Sequence, residues 1–191
     1  NNLYYPMNDF LEEHPEIMDL CLDASVEYCT QENGDILSVP VITLSNMGSY
    51  YNSAMYSPDK NIVDMSVDEF VESLGDNKLA FQTVDNAWTS MLFLTALIAN
   101  EEGGAELLQQ YDGEKLYDFN QEPIINAVTK LKEIWDTNAA SNSVGAAYAD
   151  AANGFMSEQS AVIFNGSWMN SEFSADSSGN WSNNFDGANV K

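Results

Sequence analysis

Arginine is absent from this 191-residue chain, and its six lysines face thirty aspartates and glutamates, giving a formal net charge of −24. Nothing in that inventory neutralises a line of phosphates, so nucleic-acid binding is excluded as a function class. A polybasic patch for an anionic membrane surface is excluded for the same reason. Phosphate or nucleotide recognition lacks its usual guanidinium fork. Histidine is almost absent too. The single His14 lies in a Glu-rich helical stretch with no nucleophile elbow nearby, which leaves no Ser–His–Asp device. Cys21 and Cys29 are the only cysteines. Without a His cluster they make no zinc site. On one continuous helix they would stand roughly 12 Å apart, too far for a disulfide unless the helix breaks between them. No run of about 18 apolar residues occurs, so no membrane-spanning helix is read. The best apolar run, Met91 to Ala99, reads as a buried helix. Neither a signal peptide nor an initiating Met is present. The opening Asn1-Asn2-Leu3 and the closing Ala188-Asn189-Val190-Lys191 lead us to expect a fragment of a larger protein.

What is present is a packable chain, 45% hydrophobic. Its acids are spread along the length rather than gathered in a tail, as suits a solvated surface. Residues 7–14 and 15–29 read as helices, with Pro15 at a first helical position. Asn33-Gly34 marks a turn. Ile36 to Leu44 is strand-like but carries Pro40, which favours an edge or crossing segment. Ser66-Val67-Asp68-Glu69 is a capping box opening a helix whose apolar face is Val67, Phe70, Val71 and Leu74. Leu79 to Thr83 is a short strand that runs through Asp85-Asn86 into Trp88 and the apolar helix to Asn100. Gly103-Gly104 stops that helix. Pro123 opens another, with Ile124, Val128, Leu131 and Trp135 on one stripe. Residues 145–159 are Ala-rich and helical. Ala161 to Asn165 is a strand, and 174–189 is a polar surface loop. An oxygen-rich stretch at 176–180 lacks a bidentate Glu at calcium-loop spacing and reads as plain loop. The alternation of strands with helices is an α/β pattern.

Two strand-to-helix junctions carry the same chemistry. Asn165-Gly166-Ser167-Trp168 follows one strand; Asp85-Asn86-Ala87-Trp88 follows another. Open α/β sheets bind ligands in crevices at such strand ends. A Trp offers a flat apolar face there, while amide, carboxylate and backbone N–H groups offer polar partners. That combination suits a sugar ring, with one C–H face and a rim of hydroxyls. Either Trp is equally readable as a core aromatic. Trp135, on its helical stripe, reads as core; Trp181 is unassigned.

In sequence order, several segments resemble the extracellular solute-binding proteins of ABC importers, family 1, the kind that includes the maltose-binding protein. Asp35 to Val41 followed by Ser49-Tyr50-Tyr51-Asn52 resembles the hinge-strand signature and its Tyr-Tyr-Asn-Lys, with Ser53 in place of the Lys. Ser66 to Phe70 resembles a Thr-Trp-Asp-Glu-Phe helix start, and Asn120 to Trp135 the helix after a Phe-x-(Asp/Asn)-Pro segment. Gly154 to Val162 resembles Phe-x-x-Gly-Lys-Ala-Ala-Met, with Phe155 and Ala161 in register. Asn165 to Trp168 resembles x-Gly-(Pro/Ser)-Trp. The match covers roughly residues 10–173.

The resemblance implies a periplasmic-binding-protein-like (type II) lobe, a short mixed sheet flanked by helices, as a fragment of a two-lobed protein. Residues 1–35 would lead to the hinge, 36–173 would form the second-lobe core with a hinge strand, and 174–191 a polar loop and the start of a return strand. It implies capture of a carbohydrate, most simply an oligosaccharide, by a receptor that makes and breaks no bond and docks on ABC permease subunits. It further implies an extracellular lipoprotein or periplasmic protein, monomeric when full length, with neither cofactor nor metal. Trp168, Asn165, Trp88, Asn86, Asp85 and Tyr50 are the candidate ligand contacts. Peptide or polyamine ligands stay open. A glycoside hydrolase requires two carboxyls across a bond, and no pair among Asp35, Asp85, Glu122 and Glu158 sits in such a motif. An adhesion module would show an exposed apolar patch and no cleft.

Overall fold

The computed structural model describes residues 5–39, 47–109, 118–173, 185 and 187–191. The chain divides into two compact units, one up to residue 45 and one from residue 46.

Among its described residues the first unit holds three short helices: α1 (Asn8–Glu13), α2 (Pro15–Met18) and α3 (Asp23–Cys29). The single helix expected over 15–29 is therefore broken. Leu22 is extended (φ −74°, ψ 136°), and Asp23 opens α3, where a carboxylate suits the positive end of a new helix. Cys21 and Cys29 thus sit on opposite sides of a break, and both are thiols. The turn at 31–35 is closed by a bridge between Thr30 and Ile36. Of the strand expected over 36–44, Ile36 makes only that bridge, 37–39 form no strand, and 40–44 lie outside the described residues.

The second unit is built on a three-stranded sheet in the order β1 (Met47–Tyr51), β3 (Val162–Gly166), β2 (Leu79–Ala80). β1 is antiparallel to β3 and β2 is parallel to it. The central strand alternates its side chains between two cores, as a pleated strand must. Val162 and Phe164 face α4 (Val67–Leu74), α5 (Trp88–Asn100) and α7 (Glu122–Asn138), packing with Leu74, Phe93, Leu97 and Ile134. Ile163 faces α8 (Tyr148–Met156) and α9 (Met169–Glu172), packing with Ala152, Phe155, Met169 and Phe173. Helices on both faces leave the sheet a buried layer.

The capping box at Ser66 is formed: Ser66 Oγ accepts from Glu69 N at 3.2 Å, and Glu69 Oε2 accepts from Ser66 N at 2.8 Å. The apolar run at 91–99 is a helix buried on one face only. Phe93, Leu97 and Ile98 are inside, whereas Met91 is 52% exposed. Gly104, with α5 already ended at Asn100, opens a further short helix, α6 (Gly104–Gln109). Its missing Cβ accommodates the Ile98 carbonyl, which would lie 1.7 Å from one. On α7 the most buried residues are Ala127, Ile134 and Asn138. Ile124, Leu131 and Trp135 pack half-buried beside them, but Val128, expected on the same stripe, is 47% exposed. The expected polar loop at 174–189 lies largely outside the described residues, as do the 176–180 stretch and Trp181. Beyond it, Val190 bridges Asn52 at the free edge of β1.

Candidate aromatic site at the ends of the parallel strands

Because β2 and β3 are parallel, their carboxyl ends leave the sheet at the same edge. The chain after β2 turns through 84–87 and presents Trp88 as the first residue of α5. The chain after β3 turns through Ser167 and presents Trp168. The two indoles meet, with ring centroids 5.6 Å apart and planes at 42°. A third ring completes the group. Tyr148, the first residue of α8, stacks on Trp88 at 5.3 Å and 19°. All three rings are half-buried.

Polar contacts fix the rings relative to one another. The Tyr148 hydroxyl accepts from Trp168 Nε1 at 3.0 Å and from Asn165 Nδ2 at 3.3 Å, and donates to Met169 Sδ at 3.2 Å. Asn165 is only 1% exposed, and its Oδ1 accepts from Gly166 N at 2.9 Å. Its amide therefore acts on the site through Tyr148. Gly166 has a steric role: a Cβ there would stand 2.0 Å from the Trp168 ring, which folds back over the glycine. The loop that leads into Tyr148 is clasped to the end of β2. Thr83 Oγ1 donates to Ser143 O at 2.6 Å and accepts from Gly145 N at 2.9 Å, while Thr83 N and Val84 N donate to Ala146 O at 2.8 and 3.1 Å.

The turn before Trp88 is strained. Asp85, Asn86 and Ala87 have φ of 52°, 63° and 50°, three successive non-glycine residues in the left-handed region. Such a conformation costs roughly 1–2 kcal/mol per residue, least for Asn and Asp. Asp85 and Asn86 are exposed, and among the described residues their side chains make no hydrogen bond. Backbone strain of this kind concentrates at ligand clamps and switches.

Of the six residues singled out in the sequence, the structure brings Trp88, Trp168 and Asn165 into one cluster, while Asp85 and Asn86 lie in the turn that leads into Trp88. Tyr50 is elsewhere. On β1 it packs edge-on against Phe173 at 5.3 Å, and its hydroxyl donates to Gly166 O at 3.0 Å. Burial pushes its phenol pKa up. Tyr148 is the residue that sequence reasoning missed. It sits between Ala147 and Ala149 in an Ala-rich helix, and the long-range clasp of residues 143–146 on the end of β2 brings it to Trp88. No cluster of three or more His, Cys, Asp or Glu able to hold a metal occurs among the described residues. No helix among them is long and apolar enough to cross a membrane.

No protein-family model matches the chain, and no curated protein sequence matches it. Solved structures do. One comes from work on xylan utilization by the thermophilic bacterium Caldanaerobius polysaccharolyticus: TM-score 0.72, 19% identity, covering 98% of this chain and 47% of that one. A chitin oligosaccharide binding protein gives TM-score 0.67 at 20% identity, over 98% of this chain and 45% of that one. The bacterial solute receptor AcbH, described as having an exclusive preference for β-D-galactopyranose, gives TM-score 0.65 at 18% identity, over 100% and 46%. At these identities the likeness establishes the fold: a mixed α/β lobe like those of solute-binding proteins. This chain spans less than half the length of each of these three structures.

Proposed function

We propose that this chain is a ligand-holding lobe of an extracellular solute receptor, and that its solute is a carbohydrate. The observation that carries the reading is the Trp88–Tyr148–Trp168 group at the carboxyl edge of two parallel strands. Aromatic faces at such an edge suit the C–H face of a pyranose, and Asp85 and Asn86 offer carboxylate and amide partners for hydroxyls. The fold shared with proteins described as handling xylan, chitin oligosaccharide and galactose supports it. On this reading the missing half of the binding cleft lies in the remainder of the receptor. Closure is a hinge motion around the sugar. The closed form hands its cargo to the permease of an ABC importer, no bond is made or broken, and the receptor works as a monomer. We place it outside the cytoplasmic membrane, as a lipoprotein or periplasmic protein, and take an oligosaccharide as its cargo.

A thermal-shift screen of the full-length protein tests this reading, using xylo-oligosaccharides, chitin oligosaccharides and galactose, with polyamines and amino acids alongside. A solute that binds only the folded state raises the midpoint by mass action. A shift with a sugar class supports the proposal. A second reading is favoured by one observation: exposed Asp85 beside aromatic rings in a chain of net charge −24 also suits an amine. A shift with polyamines alone selects that reading, and release of reducing ends from an oligosaccharide would make the chain part of an enzyme instead.

A further inference from the structure

We propose that Gln82 is the positioning residue of the aromatic site, a remote cap that holds the left-handed 85–87 turn and so sets the plane of Trp88. This inference rests on the ligand-binding role proposed above. Gln82 is 1% exposed, although its amide is polar at both ends. Burial of such a group is tolerated only where both ends are partnered, and here the partners lie on either side of Trp88. Nε2 donates to Val84 O at 3.0 Å and to Asp85 O at 3.2 Å. Oε1 accepts from Thr89 Oγ1 at 2.9 Å and from Thr89 N at 3.4 Å. The Gln82 main-chain carbonyl also accepts from Ser90 Oγ at 2.7 Å. One side chain thus ties the chain entering the turn to the residue that immediately follows Trp88.

The need for such a tie is local. The first N–H groups of a helix have no partner within it, and a Ser, Thr, Asp or Asn at the N-cap ordinarily supplies one. The N-cap of α5 is Ala87, at φ 50° and ψ 32°, with no side chain able to cap. Gln82 reaches the Thr89 N–H from outside the helix instead. Of the carbonyls on its other end, that of extended Val84 enters the turn and that of Asp85 is the first of three successive left-handed non-glycine residues. A turn that costs free energy in this conformation relaxes unless something holds it, and relaxation would rotate Trp88 away from Tyr148.

The test uses the full-length protein carrying Gln82→Met, which keeps volume but removes every side-chain hydrogen bond, and the milder Thr89→Val, which removes one. Near-ultraviolet circular dichroism and acrylamide quenching of tryptophan report on the ring cluster without any ligand. Titration with the xylo-oligosaccharides, chitin oligosaccharides and galactose of the screen reports on binding. In Gln82→Met we expect a lost aromatic dichroic band, increased quenching and a Kd raised roughly tenfold or more, which corresponds to about 1.4 kcal/mol, while the far-ultraviolet spectrum is kept. Thr89→Val should move the same readouts part of the way. Adding Ala87→Gly, which removes the steric cost of positive φ, should recover more in the Gln82→Met background than in the wild type. If Gln82→Met folds with unchanged aromatic dichroism and quenching, the proposal is overturned. If it does not fold, an unmoved ring signal in Thr89→Val overturns it just as well. A merely structural glutamine would lower the melting temperature and leave the quenching of the folded protein alone. Should no sugar bind the wild type, the function reading fails while the dichroic and quenching arms still decide whether Gln82 sets Trp88.

Discussion

Gly166 shows most sharply how one residue governs the site. Its backbone is ordinary strand, so conformational freedom is not what the position requires; the Trp168 indole occupies the space where a Cβ would be. Gly166→Ala is expected to push the ring out of the cluster and break the Trp168 Nε1 bond to Tyr148. Tryptophan emission should shift to the red and sugar affinity should fall, with the strand still paired. Unchanged emission would show that the indole has room to slide. Half of this arrangement is legible in the sequence. The Asn-Gly-Ser-Trp order after an apolar run marks a ring on a turn. Tyr148 is not legible, because nothing near it in sequence separates it from any helical tyrosine. The inward turn of Asn165 is equally hidden, since it depends on where the Tyr148 hydroxyl arrives.

Among the elements, α7 separates apolar pattern from burial. Ile134 is 0% exposed and Val128 is 47% exposed. Ile134→Ala should cost about 2–5 kcal/mol in urea unfolding. Val128→Ser, by contrast, should stay within about 0.5 kcal/mol, as a surface change does. Equal costs would mean that Val128 is covered in solution. The expected stripe was nearly right in phase, but a period-3.6 pattern does not say how wide the buried face is. α5 shows the same error, a largely apolar run that is buried on one side. β1 was invisible as a strand because Met47-Gly48-Ser49 has little β-propensity, and its pairing with β3 supplies what the residues lack. The α4 cap was fully legible, since its partners are three residues apart. There the backbone N–H of Ser66 first, then Lys60, holds the Glu69 carboxyl below its ordinary pKa. A depressed folded pKa gives stability that is present above the unfolded value and lost as pH falls through the folded one. Acid titration should therefore weaken the start of α4 progressively, from the ordinary Glu range down through the depressed folded value, and Glu69→Gln should remove that pH dependence while keeping most of the cap. Amide-exchange protection factors at the first turn of α4, corrected for the intrinsic pH dependence of exchange, that stay constant as the wild type is acidified would contradict it.

The whole molecule is defined by its charge. Four of the six lysines are engaged on and around α4 and α7: Lys60 with Glu69, Lys130 with Asp68 and Glu133, Lys132 with Asp136, and Lys78 with the Thr137 carbonyl. None of these contacts includes a residue of the aromatic cluster. If the full receptor takes carbohydrate as proposed, it should prefer neutral oligosaccharides to uronate-bearing ones of equal length. The gap should narrow as salt is raised and the field is screened. Calorimetric titration of matched neutral and acidic sugars measures this, and equal affinities at low salt would place the discriminating charge in the other half of the cleft. The strand order bears on how the chain is made. The central strand of the sheet is the last of the three in sequence, and the Tyr50–Gly166 contact across it spans 116 positions. On a ribosome adding about 5–20 residues per second, β1 and β2 wait on the order of ten seconds for the partner that joins them. Through that interval two strand edges and both halves of the apolar core are open to other chains. The order of three short strands thus sets how long the nascent chain carries unpaired edges before its sheet can close.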